Sequence, residues 1–115
     1  MVDEFEQWLS SLIEDTPPSD ELDSLLFILK KRGDFAHLEL NFYEGKPTLN
    51  KLAFRPLEAQ FFALKKLNNV DDKILFNRVK DLLDEIFFKS YFKNYFKSKK
   101  IYILFKDNIE YLFTV

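Results

Sequence analysis

The chain has 115 residues, a net charge of -2 and no cysteine, which fits one self-sufficient domain and excludes a disulfide framework or thiolate chemistry. Hydrophobic residues make up 47% and include 14 Phe, whereas two Gly and four Pro leave few loops, so we expect one compact domain over residues 1–115. No apolar stretch reaches the roughly 20 residues that a transmembrane helix needs, and Met1–Ile13 lacks the features of a signal peptide. We therefore expect a cytoplasmic protein.

Charged residues are spread unevenly along the chain. The segment from Asp3 to Asp23 holds eight acidic residues and no Lys or Arg, whereas the segment from Ile86 to Lys106 holds six Lys and no acidic residue. The two segments can neutralise each other or face solvent separately. The basic segment can also form a surface for an anionic partner.

Two helices are predicted at the start of the chain. Apolar residues recur at three- and four-residue spacing from Val2 to Glu14, which predicts an amphipathic helix. A stretch with two prolines, Thr16–Ser19, ends this helix. Ser19 or Asp20 can cap a second helix that runs toward Gly33, with basic residues in its last turn. The apolar face of this second helix consists of Leu22, Leu25, Leu26 and Leu29.

A β-hairpin is predicted next. Apolar and polar residues alternate from Ala36 to Tyr43, as they do in a strand with one buried face. A turn around Gly45 and a second strand from Thr48 to Phe54 follow. A loop of odd length would pair Lys51 with Glu39 across this hairpin.

Two more helices and a second hairpin complete the predicted order. Pro56 is suited to the first turn of a helix that ends before Asn68, and the Asp71–Asp72 pair begins another helix. Alternation from Lys100 to Val115 around an Asp107–Asn108 turn predicts a hairpin of strands that are apolar on both faces. The expected fold is α+β in the order α-α-β-β-α-α-β-β, with a mainly antiparallel sheet from two hairpins packed with helices.

The segment from Phe87 to Ser98 is a tetrapeptide repeat, FFKS-YFKN-YFKS. In a helix, a spacing of four residues returns each position to nearly the same face, so the repeat separates into columns. In a strand, the same residues would mix charged and aromatic side chains on one face. A helix is therefore favoured, with columns Phe88, Phe92 and Phe96, then Phe87, Tyr91 and Tyr95, then Lys89, Lys93 and Lys97.

These aromatic columns conflict with the helix that precedes them. At about 100° per residue, the repeat and the preceding apolar stripe face opposite sides of one straight helix. A continuous helix from Asp71 to Ser98 would also be about 42 Å long, more than the width of a domain of this size. Either the helix breaks near Lys89 and buries the aromatic rings, or it continues and presents them to a second chain. The preceding stripe consists of Leu75, Val79, Leu82, Leu83 and Ile86.

The repeat favours a non-catalytic protein-protein interaction module of a regulatory, adaptor or immunity-inhibitor type. Such a module would bind another protein, or form a homodimer, through helix 87–98. Exposed aromatic side chains on this scale form patches that monomers rarely tolerate, and aromatic residues anchor protein interfaces. The candidate partner-binding residues are Phe88, Tyr91, Phe92, Tyr95, Phe96, Lys89, Lys93 and Lys97.

Two alternatives belong to other functional classes. The first is a nucleic-acid-associated accessory protein, because the segment 89–106 interleaves lysines with aromatic residues that could contact phosphates and stack on bases. The second is a small enzyme that uses His37, with Glu39 and Tyr43 on the same strand face, for acid-base chemistry. We expect no metal or other cofactor, since the chain has one His, no Cys and no Gly-rich phosphate loop.

Overall fold

Helix α1 forms at the start of the chain, as predicted. The computed structural model describes residues 1–15, 17, 19–56 and 61–115. α1 spans Val2–Asp15, and Asp3 and Glu4 lie in its first turn, where the helix dipole favours carboxylates. The ring of Phe5 packs 6.1 Å from the ring of Phe27 in the sheet, measured between centroids. The buried stripe of α1 consists of Phe5, Leu9, Leu12 and Ile13.

The prediction of a second helix is wrong, because Ser24–Arg32 forms strand β1. The first six residues of this strand are all buried. Leu25 and Phe27 pack on the helix side of the sheet, whereas Leu26 and Ile28 pack on the opposite side. A strand that is covered on both faces has an unbroken apolar run, and over a short segment such a run also fits one face of a helix.

Strand β2 spans Phe35–Tyr43 and confirms the alternation predicted there. β1 and β2 form the first hairpin, with Arg32 paired to Phe35 across a two-residue loop. Gly33 begins this loop with a φ of 58°, a conformation that tight hairpin turns require and that glycine adopts without strain. The residue that was predicted to end a helix therefore makes a hairpin turn.

The predicted strand from Thr48 to Phe54 is also wrong, because β1 is the hairpin partner of β2. Phe54 makes an isolated bridge to Phe42 on the other edge of β2. Leu52 is 95% exposed rather than packed in the core. Lys51 hydrogen-bonds to the carbonyl oxygen of Glu44 and does not pair with Glu39.

The helix predicted from Pro56 does not form over the described residues that follow it. Positions 57–60 of that prediction lie outside the described residues. Phe62–Ala63 forms strand β3, which pairs antiparallel with β2, and Lys65–Leu67 forms a single 3-10 turn. β3 satisfies backbone groups on the edge of β2 that a helix would leave without partners.

The long helix predicted from Asp71 breaks near Lys89, which was one of the two expected alternatives. α2 spans Asp72–Phe87, and the carboxylate of Asp71 caps it by accepting the Lys73 N–H at 2.7 Å. α3 spans Ser90–Tyr95. Lys89 between them has an extended backbone, with φ -73° and ψ 145°. The aromatic columns therefore do not have to follow the stripe of α2.

The second hairpin forms as predicted from β4, Lys100–Phe105, and β5, Asn108–Thr114. Its loop is Lys106–Asp107, one residue earlier than predicted, and both residues have positive φ angles, 52° and 62°. β4 lies parallel to β1, so the two hairpins join into one sheet of order β3-β2-β1-β4-β5.

The predicted α+β class is confirmed, and the sheet does contain two hairpins, although only the second joins the predicted strands; the observed order is α-β-β-β-α-α-β-β. The main core lies between the helices and one face of this mainly antiparallel sheet, and a smaller apolar cluster lies on the opposite face. Within the described ranges, no helix has the length and apolar character needed to cross a membrane. The largest fully buried side chains of the main core are Phe5, Phe27, Phe42, Phe87 and Phe96.

Candidate functional site

The aromatic repeat is divided between the core and the surface. Three of its rings are buried, and three are exposed by 49%, 58% and 39%. Half of the aromatic side chains of the repeat are therefore buried within the chain, and the other half remain accessible to a partner. The buried rings are Phe87, Phe92 and Phe96, and the exposed ones, in the order of those percentages, are Phe88, Tyr91 and Tyr95.

The break at Lys89 brings the buried rings together. Phe92 lies on α3 and Phe96 directly follows it, and their rings stack with centroids 6.3 Å apart. Phe96 also packs edge-on against Phe87 of α2, at 5.2 Å. Because these rings fill the core, a partner could contact only part of the eight residues that were selected from the sequence. Phe92 and Phe96 are buried and do not belong to the accessible surface.

Tyr91 and Tyr95 form the outer side of α3. Their rings are nearly parallel, with centroids 6.3 Å apart. Burial, together with the nearby Tyr91 and Asp20, raises the pKa of the Tyr95 hydroxyl above its ordinary value. Phe88 lies away from this pair, since it packs against Phe113 of β5 at 5.3 Å.

A groove of about 780 Å³ separates α3 from α1. Tyr91 and Phe92 line its aromatic side, and the polar face of α1 lines the other. The Lys89 ammonium lies 3.3 Å from a carboxylate oxygen of Glu6 and links the two helices. The residues selected from the sequence did not include this α1 face, although its spacing marks one side of a helix: Asp3, Glu6, Gln7, Ser10, Ser11 and Glu14.

The lysines of segment 89–106 do not all serve one surface. Lys93 and Lys97 are exposed on and just after α3. Lys99 donates a hydrogen bond of 2.8 Å to the carbonyl oxygen of Leu22, and Lys106 pairs with Asp72. Several of these cations therefore hold elements of the fold together, and nucleic-acid binding stays a prediction.

His37 lies in a polar cluster on the sheet face away from the main core. A carboxylate oxygen of Glu39 lies 3.1 Å from His37 Nε2 and 3.0 Å from Lys30 Nζ. Burial raises the pKa of Glu39, but hydrogen bonds from Lys30 and His37 outweigh it, so the pKa lies below its ordinary value. Beside His37 is a largely apolar cleft of about 500 Å³, lined by Phe35, Ala36, Phe61, Ala63, Lys65 and Asn68.

Tyr43 does not join this cluster. It lies six residues from His37 along β2, about 20 Å in an extended strand, and packs in the smaller apolar cluster with Leu26 and Tyr102. Glu39 can orient the His37 ring, but the structure brings no Ser, Thr or Tyr hydroxyl to them in the contacts it describes. The enzyme hypothesis stays a prediction.

The described part of the chain holds no group of three or more His, Cys, Asp or Glu side chains placed to bind a metal ion. The candidate site that contains residues of the aromatic repeat is the outer side of α3 with the α1 groove, where aromatic rings face a row of polar and acidic side chains. No family model matches the chain, and no curated protein or solved structure matches it.

Proposed function

We propose that this protein is a non-catalytic protein-protein interaction module, of a regulatory, adaptor or inhibitor type, that binds through the outer side of α3. The observation that carries the proposal is the stacked and exposed pair Tyr91 and Tyr95. Each tyrosine ring packs against the buried phenylalanine that follows it, Phe92 or Phe96. Rigid aromatic side chains beside a groove are typical anchors of protein interfaces. The proposed setting is the cytoplasm.

The charges around this pair fit a second copy of the chain. Lys93 and Lys97 are exposed on the α3 side, and carboxylates line the α1 side of the groove. In a dimer with a two-fold axis, both protomers use the same surface. The lysines of one protomer can then meet the α1 carboxylates of its partner around a centre of tyrosine rings, which makes the surface complementary to itself.

Light scattering over a concentration series tests this proposal. We expect the wild-type protein to approach twice the monomer mass and the Tyr91→Ser/Tyr95→Ser variant to stay at the monomer mass. Both tyrosines are exposed, so thermal unfolding of the diluted variant should change little.

The matched control is Phe35→Ser/Phe61→Ser, which removes two rings beside His37 that are at least as exposed as the tyrosines. This control should keep the dimer. A wild-type protein that stays monomeric at all concentrations contradicts self-association. Single-stranded DNA binding that weakens with salt and with Lys93→Glu/Lys97→Glu would instead favour the nucleic-acid alternative.

A further inference from the structure

Strand β5 is the outer strand of the sheet, and one of its edges has no strand partner among the described residues. Its hairpin loop has two residues, so Phe105 and Asn108 form the closing hydrogen-bonded pair. The backbone groups of Glu110 therefore point toward β4, and those of Ile109 and Tyr111 point away from it. Four consecutive residues thus present a regular strand edge.

This edge lacks most of the features that protect edge strands from pairing. β5 reads NIEYLFT, with no proline and no lysine. It does have a bulge, because Tyr102 pairs with Tyr111 while the preceding Ile101 pairs with Phe113. Since the bulge follows Tyr111, the stretch 108–111 stays regular and can accept another strand.

Helix α2 contacts β5 on the helix side of the sheet. Side chains at four-residue spacing on α2 contact the second hairpin in order: Phe76 stacks on Phe105 at 6.1 Å, and Lys80 Nζ lies 3.7 Å from Glu110 Oε2. Phe88, just after the helix, packs against Phe113. Between helix and strand lies a cleft of about 270 Å³, lined by Lys80, Asp81, Asp84, Glu110, Tyr111, Leu112 and Phe113.

The cleft carries a net negative charge. Its charged groups are Lys80, which pairs with Glu110, and the carboxylates of Asp81 and Asp84. The half-exposed ring of Phe88 lies beyond Asp84 on the same helix side. A strand added to β5 would direct every second side chain toward α2, at intervals of about 7 Å. Basic side chains there would meet the two aspartates.

We propose that the edge of β5 and the outer face of α2 together bind an extended segment of a partner protein by strand addition, a segment with Lys or Arg at alternate positions. Backbone hydrogen bonds to Ile109 and Tyr111 supply affinity, and the aspartates of α2 select the basic side chains. A second copy does not fit this edge, because two copies would place their Asp81 and Asp84 carboxylates near each other. The site is separate from the α3 surface and does not depend on it.

Fluorescence anisotropy with two labelled peptides tests the proposal. The probe is a capped peptide of about nine residues, a usual strand length, in which Lys alternates with Val and Thr, and the comparison peptide has Glu in place of every Lys. We expect the lysine peptide to bind at least about tenfold more tightly than the glutamate peptide, which corresponds to about 1.4 kcal/mol. Equal binding of both peptides, or no binding of either, overturns the proposal.

Variants of the edge separate strand addition from charge attraction alone. Tyr111→Pro removes a backbone N–H that points away from β4, and an edge strand tolerates proline at such a position. This variant should bind the lysine peptide about tenfold more weakly. Tyr111→Val keeps the N–H and should bind normally. Asp81→Lys/Asp84→Lys should reverse the preference to the glutamate peptide. Equal affinity of the proline and valine variants for the lysine peptide overturns strand addition. If the wild-type protein forms a dimer that Tyr111→Pro dissociates, a second copy and not a basic partner segment occupies this edge, which also overturns the proposal.

Discussion

At the scale of single residues, neighbouring aromatic side chains of one repeat have opposite roles. Phe96 is fully buried and contacts Phe87, whereas Tyr91 is mostly exposed on the outer side of the same helix. The difference lies in position and not in residue type, because a column of the repeat faces either the core or solvent. Stability and association should therefore respond to different residues of the repeat.

Replacement of these two rings by alanine should show this division. Phe96→Ala is expected to lower the free energy of unfolding by about 3–5 kcal/mol, since it leaves a cavity in the core. Tyr91→Ala should change it by no more than about 0.5 kcal/mol. Urea unfolding followed by circular dichroism on dilute protein measures both values. A larger loss for Tyr91→Ala than for Phe96→Ala would contradict the assignment of core and surface.

At the scale of elements, the break between α2 and α3 follows from the size of the molecule and from its packing. An unbroken helix over residues 71–98 would be about 42 Å long, which exceeds the longest extent of the molecule, 37 Å. No Pro or Gly marks the break in the sequence. The packing of Phe87 against Phe96 and the ion pair between Lys89 and Glu6 stabilise the turn instead.

The two hairpin loops differ in how well their residues suit them. In the second loop, Asp107 has a φ of 62°, which strains a residue with a side chain, so Asp107→Gly should raise the free energy of unfolding by about 0.5–1 kcal/mol. The matched control is Asp34→Gly in the first loop, where Gly33 already holds the positive φ. This control should lower stability, since it only adds freedom to the unfolded chain. Thermal unfolding measures the stability of both variants. A loss of stability in Asp107→Gly would contradict the idea that Asp107 is strained by its positive φ.

At the scale of the whole molecule, the two oppositely charged segments of the chain meet at one surface. Glu6 of α1 pairs with Lys89, and the other α1 carboxylates lie across the groove from Tyr91. The acidic and basic segments therefore neutralise each other in part, as the first alternative from the sequence expected. The remaining charges supply the complementarity of the proposed dimer.

Charge reversal on the two sides of the groove tests that dimer as an assembly. Lys93→Glu/Lys97→Glu puts acidic groups against the partner's α1, and Asp3→Lys/Glu14→Lys puts basic groups against the partner's α3, so each variant alone should be monomeric. An equimolar mixture of the two variants should form a heterodimer, because every contact then joins opposite charges. Light scattering on each variant and on the mixture measures this. A mixture that stays monomeric contradicts the proposed arrangement.

Local patterns in the sequence were sufficient for elements that combine a regular apolar period with a clear turn or end. The stripe of α1, the alternation in β2 and the second hairpin were predicted on this basis and confirmed. The conflict between the stripe of α2 and the aromatic repeat also indicated where a break would lie, near Lys89, but left open whether the helix breaks there. In each case, the period of apolar residues distinguishes a helix from a strand without reference to the rest of the chain.

The tertiary structure alone decided the elements and side chains that depend on distant partners. Leu25 to Leu29 are apolar at every position, so their pattern fits a helix face or a central strand, and parallel pairing with Ile101 and Ile103 of β4 makes them a strand. The same holds for the site. The repeat shows three columns, but only the packing of α3 against α2 and the main core determines that Phe92 and Phe96 are buried while Tyr91 and Tyr95 stay exposed. Whether such a segment is a helix or a strand, and which of its side chains are buried, depends on contacts with residues far away in the sequence. The local spacing of apolar residues does not specify those contacts.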